Sequence, residues 1–321
     1  MVFGVSRVAA IDCGTNSIRL LIADLADGPP GDHLRDVHRE TRIVRLGQGV
    51  DATGEFAPEA ISRTRSALVD YAGLMSAHHV ERVRMVATSA ARDVANRDVF
   101  FAMTAEVLGA VLPGAVAEVI TGEQEAELSF CGAVGELDSA GAPFVVVDLG
   151  GGSTEIVVGG DRVLASYSAD IGCVRVTERC LRSDPPTTAE VAAARRVVRE
   201  RLEVALRVVP VEGARTWVGL AGTMTTLSAL AHNMTTYDAA AIHLSRVAGS
   251  DLFGVCDRLI GMTRSQRAAL PPMHEGRADV IGGGAIVVQE LARELRNRAG
   301  IDELTVSEHD ILDGIALSLT P

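Results

Sequence analysis

The chain has 321 residues but no apolar run approaching the ~20 residues that a membrane-spanning helix needs, so no membrane span is expected. Arg7 and Asp12 interrupt the one early apolar stretch, so no signal peptide is expected either. The five cysteines (Cys13, Cys131, Cys173, Cys180 and Cys256) stand at no CxxC or zinc-ligand spacing. That excludes a zinc ribbon and a disulfide framework. An odd, scattered set suits a reducing cytoplasm, with each thiol expected as a small buried apolar residue. Aromatic residues make up only 3% of the chain. Basic residues are outnumbered, 30 Lys and Arg against 42 Asp and Glu, giving a net charge of −12. This balance argues against broad, nonspecific binding to nucleic acid. There is no G-x-x-x-x-G-K-[ST] loop and no low-complexity tail. His78-His79, the one adjacent histidine pair, reads as a solvated helix end. His309-Asp310 has the letters of a metal-dependent phosphohydrolase signature but lacks the further histidines such a site requires.

What remains is an ordinary globular composition, 47% hydrophobic and 22% charged, long enough for two domains. Within it, one short pattern occurs twice. Ala9-Ala10-Ile11-Asp12-Cys13-Gly14-Thr15-Asn16-Ser17 resembles Val145-Val146-Val147-Asp148-Leu149-Gly150-Gly151-Gly152-Ser153, at a constant offset of 148 − 12 = 136 residues. Each copy is an apolar strand running into an Asp and a turn of small residues. A second strand then begins, Leu20-Leu21-Ile22 in one copy and Ile156-Val157-Val158 in the other. A lone D-x-G is as well explained by a tight hairpin, but two copies in register point to a duplicated unit. Turns of small residues can offer backbone N–H groups to phosphate oxygens, and the Asp can hold Mg²⁺.

The rest of the chain alternates strands with helices, which predicts an α/β fold with covered sheets. Strands are expected through 7–50, with turns at 26–31 and 47–49. The four residues Gly28-Pro29-Pro30-Gly31 read as a surface turn. Pro58 opens a helix to about 78, with Ile61, Leu68 and Met75 on one face. Residues 82–88 form a strand that delivers Arg92 at or just beyond its carboxyl end. Helices are expected over 98–110, 122–135, 284–298 and after Ser307. Thr187-Thr188-Ala189-Glu190 reads as a capping box for a long helix to about 209. A short strand is expected at 118–120 and another at 217–221.

Several segments together resemble the exopolyphosphatase/guanosine pentaphosphate phosphohydrolase (Ppx/GppA) family of the actin-like superfamily. They are Asp12 to Leu20, Arg45-Leu46-Gly47-Gln48-Gly49, Ala87-Thr88-Ser89-Ala90-Ala91-Arg92, Ile120 to Ala126, Asp148 to Glu155, Ala221-Gly222-Thr223 and Gly276 to Ile281. The likeness is closest to the short, two-domain actinobacterial exopolyphosphatases. It implies a duplicated, ribonuclease-H-like, actin-like (ASKHA) two-domain fold with a phosphate-binding cleft between the domains. The first domain is expected at 1–121 plus 307–321, and the second at 122–306.

The resemblance also implies roles. Glu125 matches the second Glu of the family's Gly-x-Glu-Glu-Ala motif and would be the catalytic base. A Glu there also favours the helix dipole, so its position alone leaves both readings open. Gln124 stands where the family has the first Glu, which puts in doubt any mechanism needing an adjacent pair. Asp148 and Asp12 would bind Mg²⁺. Glu155 is a metal ligand, a helper to the base, or an exposed strand residue. The phosphate-binding set is Gly14, Thr15, Asn16, Ser17, Gly150, Gly151, Gly152, Ser153 and Thr154, with Arg19, Arg92 and Arg277, and with Gly222 and Thr223. Arg45 is a weaker candidate. Arg195, Arg196, Arg199 and Arg201 lie on a long helix and read as solvated or ion-paired.

The implied activity is Mg²⁺-dependent release of terminal phosphate from inorganic polyphosphate. The alternatives are hydrolysis of pppGpp and a low-turnover regulator that binds nucleotides or alarmones; an actin-like kinase fits less well. Few aromatics favour polyphosphate over a nucleotide. Longer family members carry extra helical domains, so a preference for short chains is expected here. Closure of the two domains on ligand and a homodimer in the cytoplasm, with neither nucleic acid nor membrane as partner, complete the expectations.

Overall fold

The computed structural model describes residues 5–26 and 34–320, so the expected turn at 28–31 lies outside the described residues. The chain divides into two compact units. One takes in the chain up to Glu136 and again from Ile311, and the other is Leu137–Asp310.

The first unit is built on five strands: β1 (Ser6–Cys13), β2 (Ser17–Leu25), β3 (Leu34–Ile43), β4 (Arg82–Ala87) and β5 (Glu118–Val119). Their order is β3-β2-β1-β4-β5, antiparallel through β1–β3 and parallel from β1 to β5. Alternation along β1 and β2 divides two cores. Ala9, Ile11, Ile18 and Leu20 pack under the helices Pro58–Ala77 and Arg97–Gly109. Val8, Ala10, Leu21 and Ala23 pack under the terminal helix Ile311–Leu317.

That terminal helix lies against the helix Gly122–Val134, so closely that a side chain at Gly314 would stand 2.0 Å from the Leu128 carbonyl oxygen. This close packing draws the helix Gly122–Val134 into the first unit. The boundary therefore falls after Glu136, whereas the sequence placed it at 121.

The second unit repeats the plan with β6 (Phe144–Leu149), β7 (Thr154–Gly159), β8 (Val163–Ala169), β9 (Thr216–Leu220), β10 (Ser245–Ala248) and β11 (Glu303–Val306). The order β8-β7-β6-β9-β11-β10 matches β3-β2-β1-β4-β5 strand for strand, with β10 added at the edge. Val145, Val147, Leu149, Ile156 and Val158 face the main core. Long helices Thr188–Val208 and Ile281–Ala299 cover it and are stapled by a buried carboxylate. Glu290 accepts from Arg195 Nη1 and Arg199 Nε, each at 2.5 Å. Those two arginines are thus the ion-pair partners that the sequence allowed for.

Of the five free cysteines, Cys131 is exposed, against expectation. It lies on the outer side of a helix whose inner face takes Phe130 and Ala133.

The capping box expected at Thr187 is present. Thr187 Oγ1 accepts from the Glu190 N–H at 3.2 Å, and Glu190 Oε2 accepts from the Thr187 N–H at 2.8 Å. The Thr187 backbone donor, helped by Thr187 Oγ1, Arg182 N and Ser183, draws the Glu190 carboxyl down from 4.5 to about 2. A lowered folded pKa stabilises above the unfolded value and is lost as pH falls through the folded one. The start of this helix is therefore expected to fray between about pH 4.5 and pH 2. Amide exchange at 188–191 in a Glu190→Ala variant should already be fast at pH 6, and unchanged protection there would count against this cap.

Candidate active site

The two hairpins that the sequence singled out have the same local geometry. In the first, β1 pairs with β2 so that Asp12 faces Arg19, and the Gly14 N–H donates to Ser17 O at 2.9 Å. In the second, β6 pairs with β7 so that Asp148 faces Glu155, and the Gly150 N–H donates to Ser153 O at 3.0 Å. The turn carbonyls are tied down in both. Thr15 O accepts from Gly47 N at 2.8 Å, and Asn16 O from Arg45 N at 2.8 Å. Gly151 O accepts from Val174 N at 2.9 Å and Arg175 N at 3.1 Å, and Gly152 O from Gly172 N at 3.2 Å.

With the carbonyls so engaged, the N–H groups of Thr15, Asn16, Gly151 and Gly152 have no backbone acceptor among the described residues. Thr15 Oγ1 is buried and meets no hydrogen-bond partner among them. Such donors suit an anion. Two glycines permit the bracing. A side chain at Gly47 would meet Thr15 Cγ2 at 2.4 Å, and one at Gly172 would meet Gly151 O at 2.1 Å. Gly172 and Arg175 were not among the sequence candidates, because they follow β8 rather than the repeat. Thr154 was a candidate hydroxyl donor to phosphate. Its Oγ1 instead donates to Ile171 O at 2.5 Å and braces the turn from below.

The charges opposite the two aspartates differ. Arg19 Nη1 lies 3.8 Å from Asp12 Oδ2. At the equivalent position, 19 + 136 = 155, the second hairpin has Glu155. Asp148 is 7% exposed and Glu155 1% exposed, so the reading of Glu155 as an exposed strand residue is excluded. They share the face of Val146 and Val157 that is turned from the main core. Directly opposed residues project side by side. Ser168, the register partner of Glu155 on β8, donates its hydroxyl to Glu155 Oε1 at 2.6 Å. Two adjacent buried carboxylates form a hard-oxygen donor set that fits Mg²⁺.

In the first unit, Thr121 and Gln124 make a capping box: Gln124 Oε1 accepts from Thr121 N at 2.9 Å, and Thr121 Oγ1 from Gln124 N at 3.2 Å. An amide serves here as well as a carboxylate, so the Gln124 departure is structurally accommodated. Of the neighbouring acids, Glu123 is exposed and Glu125 is 7% exposed. Arg92 Nη1 donates to Glu125 Oε2 at 2.7 Å and to Ile120 O at 3.1 Å. Arg92 follows β4 in the short helix Ser89–Arg92. The structure thus brings a candidate phosphate ligand onto the candidate base.

In the second unit, Ala221 turns β9 into the helix Ala221–Ala231 with φ +68°, a strained conformation for a residue with a Cβ. Arg277 lays its guanidinium on Gly222, where a Cβ would come within 2.4 Å of Cζ. Arg277 Nη1 donates to Thr226 Oγ1 at 3.2 Å. Gly222→Ala is therefore expected to displace the guanidinium while leaving the helix intact. A charge-assisted phosphate contact is worth about 10- to 100-fold in kcat/KM, with melting temperature held within about 2 °C. Unchanged kinetics would remove Arg277 from the site.

The duplicated hairpins, matched sheets and buried acids define a phosphatase of the actin-like class. The chain belongs to the Ppx/GppA phosphatase family, whose model matches residues 21–319. It is 82% identical over 314 residues to Exopolyphosphatase 2 of Mycobacterium tuberculosis, covering 98% of each chain. Among solved structures, it is similar to an exopolyphosphatase-like protein at 41% identity and TM-score 0.92, covering 98% of this chain and 97% of that one. The Aquifex aeolicus PPX-GPPA enzyme aligns at 33% identity and TM-score 0.78, over 98% of this chain and 100% of that one. No helix among the described residues is long and apolar enough to cross a membrane.

Proposed function

We propose that this protein is an exopolyphosphatase that hydrolyses the terminal phosphoanhydride bond of inorganic polyphosphate. The observation that carries the reading is the inward-turned Glu125 carboxylate, held by Arg92 at the start of its helix. The 82% identity to a protein named Exopolyphosphatase 2 supports polyphosphate as the substrate class.

In this reading Glu125 orients a water and takes its proton as the oxygen attacks the terminal phosphorus. Within each unit, the freed N–H groups of its turn would receive phosphate oxygens, with Arg19 and Arg92 as charged partners in the first unit and Arg277 in the second. Asp148 and Glu155 would hold Mg²⁺, which when bound supplies positive charge to phosphate oxygens. Asp12 already faces a guanidinium, so we assign it to holding Arg19 in place rather than to first-choice metal binding. A homodimer in the cytoplasm is proposed from the family likeness, and light scattering tests the dimer.

The direct test is phosphate release, with Mg²⁺, from polyphosphate and from pppGpp side by side. Faster release from polyphosphate supports the proposal. Release mainly from pppGpp would make the protein a pppGpp phosphohydrolase, and binding without release would make it a regulator.

A further inference from the structure

The freed N–H groups of the first turn depend on a strap that follows β3. Asn16 O accepts from Val44 N at 3.1 Å as well as from Arg45 N at 2.8 Å, and Thr15 O accepts from Gly47 N. Val44 and Leu46 pin the strap by their side chains, which are buried in the core under helix Pro58–Ala77. Between them, Arg45 has φ +50°, in the left-handed region that residues with a Cβ seldom adopt. The Gln48 N–H then donates to Arg45 O at 3.1 Å and closes a short turn. A strained residue of this kind persists only where its surroundings hold it.

Arg63, in the second turn of helix Pro58–Ala77, supplies that hold. Its Nε donates to Val44 O at 2.8 Å, and its Nη2 reaches Arg45 O and Gln48 Oε1 in weaker contacts of 3.5 Å each. Val44 and Arg45 are thus gripped from two sides. Their carbonyls go to the guanidinium, and their N–H groups go to Asn16 O. The Val44 carbonyl and the Arg45 N–H belong to one peptide unit, so a cation on that oxygen strengthens the donor on that nitrogen.

We infer that Arg63 is a positioning residue for phosphate binding, holding the strap 44–48 that keeps the first turn open to an anion. The inference rests on the phosphate-binding reading of that turn and adds to it a residue from a helix outside the repeat. Without the guanidinium, the strap can relax toward an ordinary φ at Arg45 and release Asn16 O. The turn must then be ordered at the moment phosphate binds, a cost that falls on affinity. Glu125 lies outside this chain of bonds, so the chemical step should not feel the loss.

Arg63→Ala is compared with Arg65→Ala. Arg65 is exposed on the same helix and donates to Glu106 Oε1 at 2.7 Å, so its loss removes an equal charge away from the strap. With tripolyphosphate and Mg²⁺, KM is expected to rise about tenfold in Arg63→Ala, with kcat held within about twofold, and to stay unchanged in Arg65→Ala. Arg63→Lys, which keeps the charge without the fork, should recover part of the loss. Calorimetry in a Glu125→Gln background, where turnover is not needed, should show the same loss of tripolyphosphate affinity on adding Arg63→Ala. A fall in kcat with KM unchanged would make Arg63 a support of the fold alone. Equal rises in KM in both alanine variants would assign the effect to the charge of the helix. Either result would overturn the inference and leave the exopolyphosphatase reading intact. Weaker binding in Arg63→Ala, beside a parent protein that releases no phosphate, would sustain the inference and overturn that reading. Failure of the Glu125→Gln protein to bind tripolyphosphate would overturn both.

Discussion

Glu125→Gln is expected to lower kcat for phosphate release by about 10²- to 10⁴-fold, the usual contribution of a positioned general base. The substitution is chosen for what it keeps. Arg92 Nη1 now donates to Glu125 Oε2 at 2.7 Å, and an amide oxygen can accept the same bond. The fold around Ile120 and Arg92 should therefore survive, whereas Glu125→Ala would strand a half-buried guanidinium. Affinity should move the other way. Removing the carboxylate takes a negative charge from beside the phosphate chain and frees Arg92 of its counter-charge, so the dissociation constant for tripolyphosphate should fall. Steady-state kinetics with calorimetry gives both readings. A variant with near-normal kcat would remove Glu125 as the base, whatever its affinity.

Asp148→Asn should show an opposite pair of effects on activity and stability. Loss of a charged metal ligand is expected to cut kcat/KM by about 100-fold or more and to raise the Mg²⁺ requirement. The same change removes one of two like charges placed side by side with 7% and 1% exposure. Like charges that close disfavour the folded state. Without metal, the variant should therefore melt a few degrees higher than the parent, since about 1 kcal/mol corresponds to 2–4 °C in a chain of this size class. Excess Mg²⁺ should reverse the order. A variant that melts lower both with and without metal would show that Asp148 serves the fold and not a cation.

Much of this was legible in the sequence because it was written locally. A strand, an Asp, a small-residue turn and a second strand are contiguous, so both hairpins could be read directly, as could the Thr187 capping box. The Thr121 box was less legible, because Gln124 stands where the family motif has an acid, although Gln serves equally in that position. Other features depend on contacts distant in sequence. Arg92 and Glu125 are 33 positions apart, and no local pattern announces that they meet. The helix Ala221–Ala231 is buried on nearly every side, so it has no amphipathic period to detect. Helix Ile281–Ala299 begins three residues before the expected 284, because its first-turn glycines pack against Thr177, Thr223 and Arg267 instead of ending the helix. Tyr237 lies in a loop without motif, and its contact with Glu308 joins positions 71 apart.

The position shared by Arg19 and Glu155 has a historical consequence. Two hairpins with a common backbone imply a common ancestor, in which this site held one residue type in both copies. The first copy now carries Arg19 there and the second Glu155, so one aspartate faces a cation and the other a second carboxylate. The two hairpins are no longer interchangeable, since exchanging one for the other would set a residue of opposite charge beside its aspartate.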